Sequence, residues 1–127
     1  MKKLILLILV LFSTDIIAKY AGTNPLITPE RLLENPNKYV VLDVRSKQEF
    51  DAGHIEGAVN IPHYNVMEQL NVIKSWNDKT IVVHCRSGKR AWVAEQMLMK
   101  QNVANLAHLK GDMLEWQAKK LPLKKVD

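Results

Sequence analysis

The chain carries a single cysteine, Cys85, among its 127 residues. No internal disulfide can brace it, and one cysteine cannot build a zinc cage. Its four histidines, His54, His63, His84 and His108, offer no pair at metal-ligand spacing, so no metal is expected. Lysine and arginine outnumber the acids by 18 to 13 without forming a basic block interleaved with aromatics. That argues against a nucleic-acid partner. Lys119-Lys120 and Lys124-Lys125 read as a solvated tail. There is no internal repeat, no low-complexity segment and no sign of a second folded domain. The one long apolar run, residues 4–12, is shorter than the ~20 residues a spanning helix needs, and Asp15 stands beyond its far end.

That run follows Lys2-Lys3 and leads into a mixed exit at residues 13–18, the pattern of a secretory signal peptide. Cleavage is expected after Ala18. Residues 19–127 then form one domain, enough for a modest single core, with a net charge of about +4. No stable membrane association is expected after cleavage, and the mature protein is expected in the periplasm. Its mild basic excess suits a small anionic substrate. In an oxidising compartment a lone thiol has no structural partner and is a liability unless it has a use. Attention therefore falls on Cys85.

Apolar, β-branched runs alternate with helical patterns, which argues an α/β domain with a mostly parallel sheet. Leu26 and Ile27 read as a brief first strand. Thr28-Pro29-Glu30-Arg31 opens a helix with a Thr cap and Pro at the first helical position, and Asn35-Pro36 closes it. Residues 39–42 read as a buried strand and residues 46–51 as a short helix that Gly53 stops. His54-Ile55 and residues 58–61 bracket a turn at Glu56-Gly57. Val66, Met67, Leu70 and Ile73 fall at helical spacing, which predicts a helix over residues 65–76. Residues 80–84 are the clearest strand, residues 91–99 a helix packed on the sheet, residues 105–109 a last strand and residues 113–118 a last helix. Trp76, Trp92 and Trp116 read as core or helix-packing residues, and Trp92 is near enough to Cys85 to wall a pocket.

Cys85 lies where a strand ends and a helix begins, in Val82-Val83-His84-Cys85-Arg86-Ser87-Gly88-Lys89-Arg90-Ala91. Loop amides, a helix N-terminus and the cations Arg86, Lys89 and Arg90 all supply positive potential there, which suits a reactive thiolate. A cysteine serving only as a small buried hydrophobe fits such surroundings poorly. In open parallel sheets ligands sit beyond the carboxyl ends of the strands, which is the position of this loop.

Two stretches together resemble the rhodanese family. One runs from Leu42-Asp43-Val44-Arg45 through Glu49-Phe50 to Gly53-His54-Ile55-Glu56-Gly57-Ala58-Val59-Asn60-Ile61-Pro62. The other is the six-residue loop Cys85-Arg86-Ser87-Gly88-Lys89-Arg90. Leu109-Lys110-Gly111 with Trp116 is similar to the family's C-terminal Gly-Gly and Trp pattern, except that Asp112 replaces the second glycine. The resemblance covers roughly residues 26–120. It implies a single domain with a five-stranded parallel sheet and helices on both faces. It also implies a thiosulfate sulfurtransferase that needs no cofactor and passes a sulfane sulfur through a Cys85 persulfide to a thiophilic acceptor, cyanide or a thiol. Arg86, Ser87, Gly88, Lys89 and Arg90 would bind the anion, with Arg90 either doing so or tying the loop to a carboxylate. Gly88 would allow a backbone angle that a β-carbon resists. Asp43 would accept from loop or turn amides, and Arg45 would pair with Glu49 or another acid. His54 belongs to the family's Gly-His-Ile pattern and reads as structural.

Three other readings compete. A persulfide carrier that delivers sulfur to a protein partner would use the same cysteine. A cysteine phosphatase or arsenate reductase needs five residues between Cys and Arg to wrap a tetrahedral oxyanion, and only four separate Cys85 from Arg90. Transfer from 3-mercaptopyruvate would share Ser87, whereas Arg86 and Lys89 favour thiosulfate.

Overall fold

The structure is a computed structural model that describes residues 24–127; the segment read as a signal peptide, residues 1–18, lies outside them. Strands β1 (Leu26–Ile27), β2 (Tyr39–Asp43), β3 (Val59–Asn60), β4 (Thr80–His84) and β5 (Leu106–Leu109) form one sheet. Their spatial order is β1-β5-β4-β2-β3, and every pairing is parallel. The helices are α1 (Pro29–Glu34), α2 (Lys47–Ala52), α3 (Leu70–Ser75), α4 (Lys89–Lys100) and α5 (Asp112–Ala118), with 3₁₀ turns at Pro36–Lys38 and His63–Asn65.

The central strand shows why the sheet needs cover on both sides. Ile81, Val82, Val83 and His84 are all buried, and alternate side chains enter opposite cores. Ile81 and Val83 join Ile73, Ala91, Ala94 and Leu98 on the α3–α4 side. Val82 joins Leu32, Leu109, Met113 and Trp116 on the α1–α5 side. Each fully buried Leu or Ile contributes about 1.5–3 kcal/mol, so these two layers fix the stack. Cys85, one residue past β4, continues the Ile81–Val83 face and lies in the first core.

Local signals set several boundaries. Thr28 accepts a side-chain hydrogen bond from the Arg31 amide and caps α1, whose first residue is Pro29. Ser46 and Glu49 close a reciprocal capping box on α2. The turn at Glu56-Gly57 is present, with Gly57 at φ +81°.

Two expectations are corrected. The helix expected over residues 65–76 is cut down to α3, Leu70–Ser75. The chain before it is tied to the sheet: His63 N–H donates to the Val44 carbonyl, and Val66 is fully buried. Those anchors hold residues 63–65 in a 3₁₀ turn, and the i→i−4 ladder starts only at Gln69. Trp92, expected to pack, is instead 54% exposed on the outer side of α4, whereas Trp116 is buried and donates Nε1–H to the Pro122 carbonyl. Trp116→Ala should therefore cost about 3–5 kcal/mol in urea unfolding, and Trp92→Ala should stay within about 0.5 kcal/mol of wild type. Equal losses would contradict the placement.

Candidate active site

Beyond β4 the backbone turns sharply at Cys85 because three neighbours take its polar groups. The Cys85 amide donates to Asp112 Oδ1 at 2.9 Å. Its carbonyl accepts from the Met113 amide at 3.1 Å and from His84 Nδ1 at 3.0 Å. The next carbonyl, Arg86, accepts from the Leu114 amide at 3.1 Å. The start of α5 thus grips the start of the loop. At its other end, Gly88 is the N-cap of α4 with φ +114°, a left-handed angle that glycine adopts without strain.

The loop closes on the sulfur. Gly88 N–H donates to Cys85 Sγ at 3.0 Å, and Cys85 is only 1% exposed. No side chain caps α4, so the first amides of this twelve-residue helix open toward the loop without intrahelical partners. Arg86, Ser87 and Lys89 are exposed around the rim, and Gly88 and Arg90 are partly buried. Arg90 spends both terminal nitrogens on Glu49, at 2.6 and 3.0 Å. Those hydrogen bonds hold the Glu49 carboxyl down at about 2, so the pair is charged on both sides at neutral pH. A cleft of about 240 Å³ opens on the Arg86 side, with Arg45, Met113 and Gln117 on its walls.

The layer beneath is charged and buried. Arg45 grips Asp43 through Nε and Nη2, at 2.7–3.1 Å, and its Nη2 also donates to the Gly53 carbonyl. Both residues are buried. His84 is fully buried, and burial pushes its pKa down. Its Nδ1–H donates to a carbonyl, which leaves Nε2 without a hydrogen-bond partner, 3.6 Å from Asp43 Oδ2.

A model of the rhodanese-like domain matches residues 28–119, a span that takes in both the Asp43–Arg45 corner and the Cys85 loop. The chain belongs to the rhodanese family. It is 31% identical over 119 residues to an uncharacterized Bacillus subtilis protein, YqhL, covering 91% of this chain and 93% of that one. It is 33% identical over 91 residues to a Schizosaccharomyces pombe protein provisionally named a mitochondrial thiosulfate sulfurtransferase, covering 63% of this chain and 64% of that one. A solved rhodanese-related protein from Thermoplasma volcanium superposes with a TM-score of 0.70 at 29% identity, over 79% of this chain and 97% of that one. Other curated relatives are longer, and the chain spans only 26–28% of the length of two of them.

In this rhodanese domain the residues singled out from sequence meet at one sheet end, and the structure chooses between the partners that the sequence left open. Arg45 pairs with Asp43 and not with Glu49, because Glu49 faces Arg90 across the loop. Asp43 accepts the turn amide of Arg45 but no amide of the Cys85 loop, since Asp112 occupies that place. Among the described residues the Gly88 amide is the backbone group that donates to Sγ. His54 is structural as expected: it stacks on Phe50 at 3.7 Å and bonds the Phe50 carbonyl.

Sequence reasoning missed one group. His108 lies between two carboxylates, with Nε2 2.9 Å from Asp112 Oδ2 and Nδ1 3.0 Å from Glu95 Oε2. A neutral imidazole has one N–H and can satisfy only one of them. Burial opposes the charge, yet the two hydrogen bonds outweigh it and push the His108 pKa up to about 10. The i, i+4 spacing of His108 and Asp112 was the available signal. A pKa raised by folding lends stability that is complete below the free value of about 6.5 and lost as pH rises through about 10. Wild-type stability should therefore decline across that window relative to His108→Gln, measured as urea midpoints. Parallel pH profiles would show that His108 is not a folded-state imidazolium.

Proposed function

We propose that this rhodanese domain is a sulfurtransferase, and that thiosulfate is its sulfur donor. The observation that carries the reading is Cys85 Sγ enclosed by its own loop, accepting the Gly88 amide at the positive end of α4. A thiolate there has a hydrogen-bond donor, open helix amides and nearby cations, which is the environment an anionic nucleophile needs.

Cys85 thiolate attacks the outer sulfur of thiosulfate. The sulfur–sulfur bond of the donor breaks, sulfite leaves with its electron pair, and Cys85 holds a persulfide. A second nucleophile, cyanide or a thiolate, then attacks the terminal sulfur and returns Cys85 as thiolate. Electrons balance within the two displacements, so no redox partner is required. This is covalent catalysis in two steps. The Gly88 amide and the open first amides of α4 would hold the terminal sulfur's charge.

Charge divides the labour on the rim. Arg90 is committed to Glu49, while Arg86 and Lys89 are exposed and able to meet a dianion. The tight six-residue loop suits a single sulfur atom better than a tetrahedral phosphate. The N-terminal pattern supports export, so the working site of the mature protein is proposed to be the periplasm.

Intact mass after thiosulfate treatment tests the chemistry. Wild type should gain one sulfur and lose it again on adding cyanide, and Cys85→Ser should gain none. A folded wild type that gains nothing contradicts the reading. Lys89→Ala should raise the thiosulfate KM about five- to tenfold with a smaller effect on kcat, and the effect should shrink as salt is added. An unchanged KM would remove Lys89 from the binding surface.

A further inference from the structure

We propose that Asp112, held by His108 and through it by Glu95, is the positioning residue of the Cys85 loop. This rests on the sulfurtransferase reading. It gives a role to the residue that stands where the family pattern has its second glycine.

The bend itself raises the question. Gly111 and Asp112 both have positive φ, +75° and +55°. Glycine adopts that region freely, while any residue with a β-carbon is disfavoured there, aspartate less than most. A Cβ on Gly111 would fall 2.3 Å from Glu115 Cβ, so that position must remain glycine. At position 112 the side chain has a use. Asp112 is buried, and each carboxylate oxygen has its own partner: Oδ1 accepts the Cys85 amide and Oδ2 accepts His108 Nε2–H.

The carboxylate reaches both ends of the loop. Asp112 Oδ2 also lies beside Gly88, close enough that a Cβ there would come within 3.1 Å of it, so the same group crowds the last residue of the turn. Cys85 and Gly88 are the two residues that form the sulfur contact. One buried side chain therefore sets the distance between the nucleophile and its donor.

Asp112 is in turn held from behind. His108 lies on β5 and Glu95 on α4, and Glu95 Oε1 accepts from Asn24 Nδ2 at 3.1 Å. The chain Asn24–Glu95–His108–Asp112–Cys85 crosses the N-terminal segment, α4, β5 and α5. The imidazolium between the two acids keeps neither as an unpaired buried charge. A small displacement of a reacting group can cost up to about a hundredfold in rate, so the rigidity of this chain bears directly on transfer.

Asp112→Gly separates positioning from folding, because glycine fits the left-handed bend without strain. Loss of the Cys85 amide's acceptor should lower its thermal midpoint by about 5–15 °C, with the protein still folded at the assay temperature. Its maximal single-turnover rate of persulfide formation from thiosulfate should fall about tenfold, with the half-saturating thiosulfate concentration changed less than about twofold. Asp112→Asn keeps an oxygen for the Cys85 amide and should recover to within about threefold of wild type. An Asp112→Gly protein that reacts at the wild-type rate overturns the proposal. One that is unfolded at the assay temperature also overturns it, since the carboxylate would then serve the fold and not the loop. Alkylation of Cys85 by iodoacetamide reads the same loop without any sulfur donor, and wild type and Asp112→Gly should differ in rate there too. If wild type takes up no sulfur while that difference persists, the function is wrong and the positioning stands; if the alkylation rates are equal, the positioning is wrong.

Discussion

Everything at the functional end of this molecule depends on how the backbone of Cys85 is anchored. A parallel strand delivers the residue into the core, where both of its peptide groups must find partners or cost free energy. The amide goes to Asp112 and the carbonyl to Met113 and His84. With the entry fixed, the loop has only Arg86, Ser87 and Gly88 before α4 begins. That shortness forces the left-handed turn at Gly88 and brings its amide onto the sulfur. The sheet order makes the anchor possible, because β5 neighbours β4 and the chain leaving β5 enters α5 directly under the loop.

Charge is arranged around this anchor in layers. Acids near the sulfur would oppose a thiolate if they stood alone. Asp43 is matched by Arg45, Asp112 and Glu95 share His108, and Glu49 is matched by Arg90. Asp43 and Arg45 are both buried, and breaking one partner of such a pair costs several kcal/mol, whereas the Glu49–Arg90 pair is partly exposed and is worth less. Arg86 and Lys89 remain exposed and give the rim its positive character. His84 is the neutral member: burial holds it uncharged, and its ring serves the Cys85 carbonyl.

Much of this was legible in the chain. The alternation of β-branched runs with helical patterns gave four of the five strands, β3 being read only as a segment beside the Glu56-Gly57 turn, and the spacing from Cys85 to Arg90 located the loop. Gly88 was readable because a tight turn into a helix calls for a positive φ. What was not legible follows from side chains meeting across the fold. Glu49 could bond either Arg45 or Arg90, and only the packing of α2 against the loop decides between them. The helix over residues 65–76 had the right apolar spacing, but periodicity carries no account of a backbone already tied to Val44. Asp112 showed only as a departure from a Gly-Gly pattern. Its partner His108 lies on the neighbouring strand's end, four residues away, with Glu95 on another element. Trp92 read as packing because apolarity was taken for burial, which holds in one direction only.

The central claim is that the loop is shaped to hold a sulfur atom on Cys85. The most direct measurement is a crystal structure of the thiosulfate-treated protein at a resolution that shows the terminal sulfur. The account predicts that sulfur inside the loop, within hydrogen-bond distance of amides at the start of α4, with the Asp112–Cys85 contact unchanged. A persulfide swung out of the loop into solvent, or a loop that rearranges to admit it, would contradict the account.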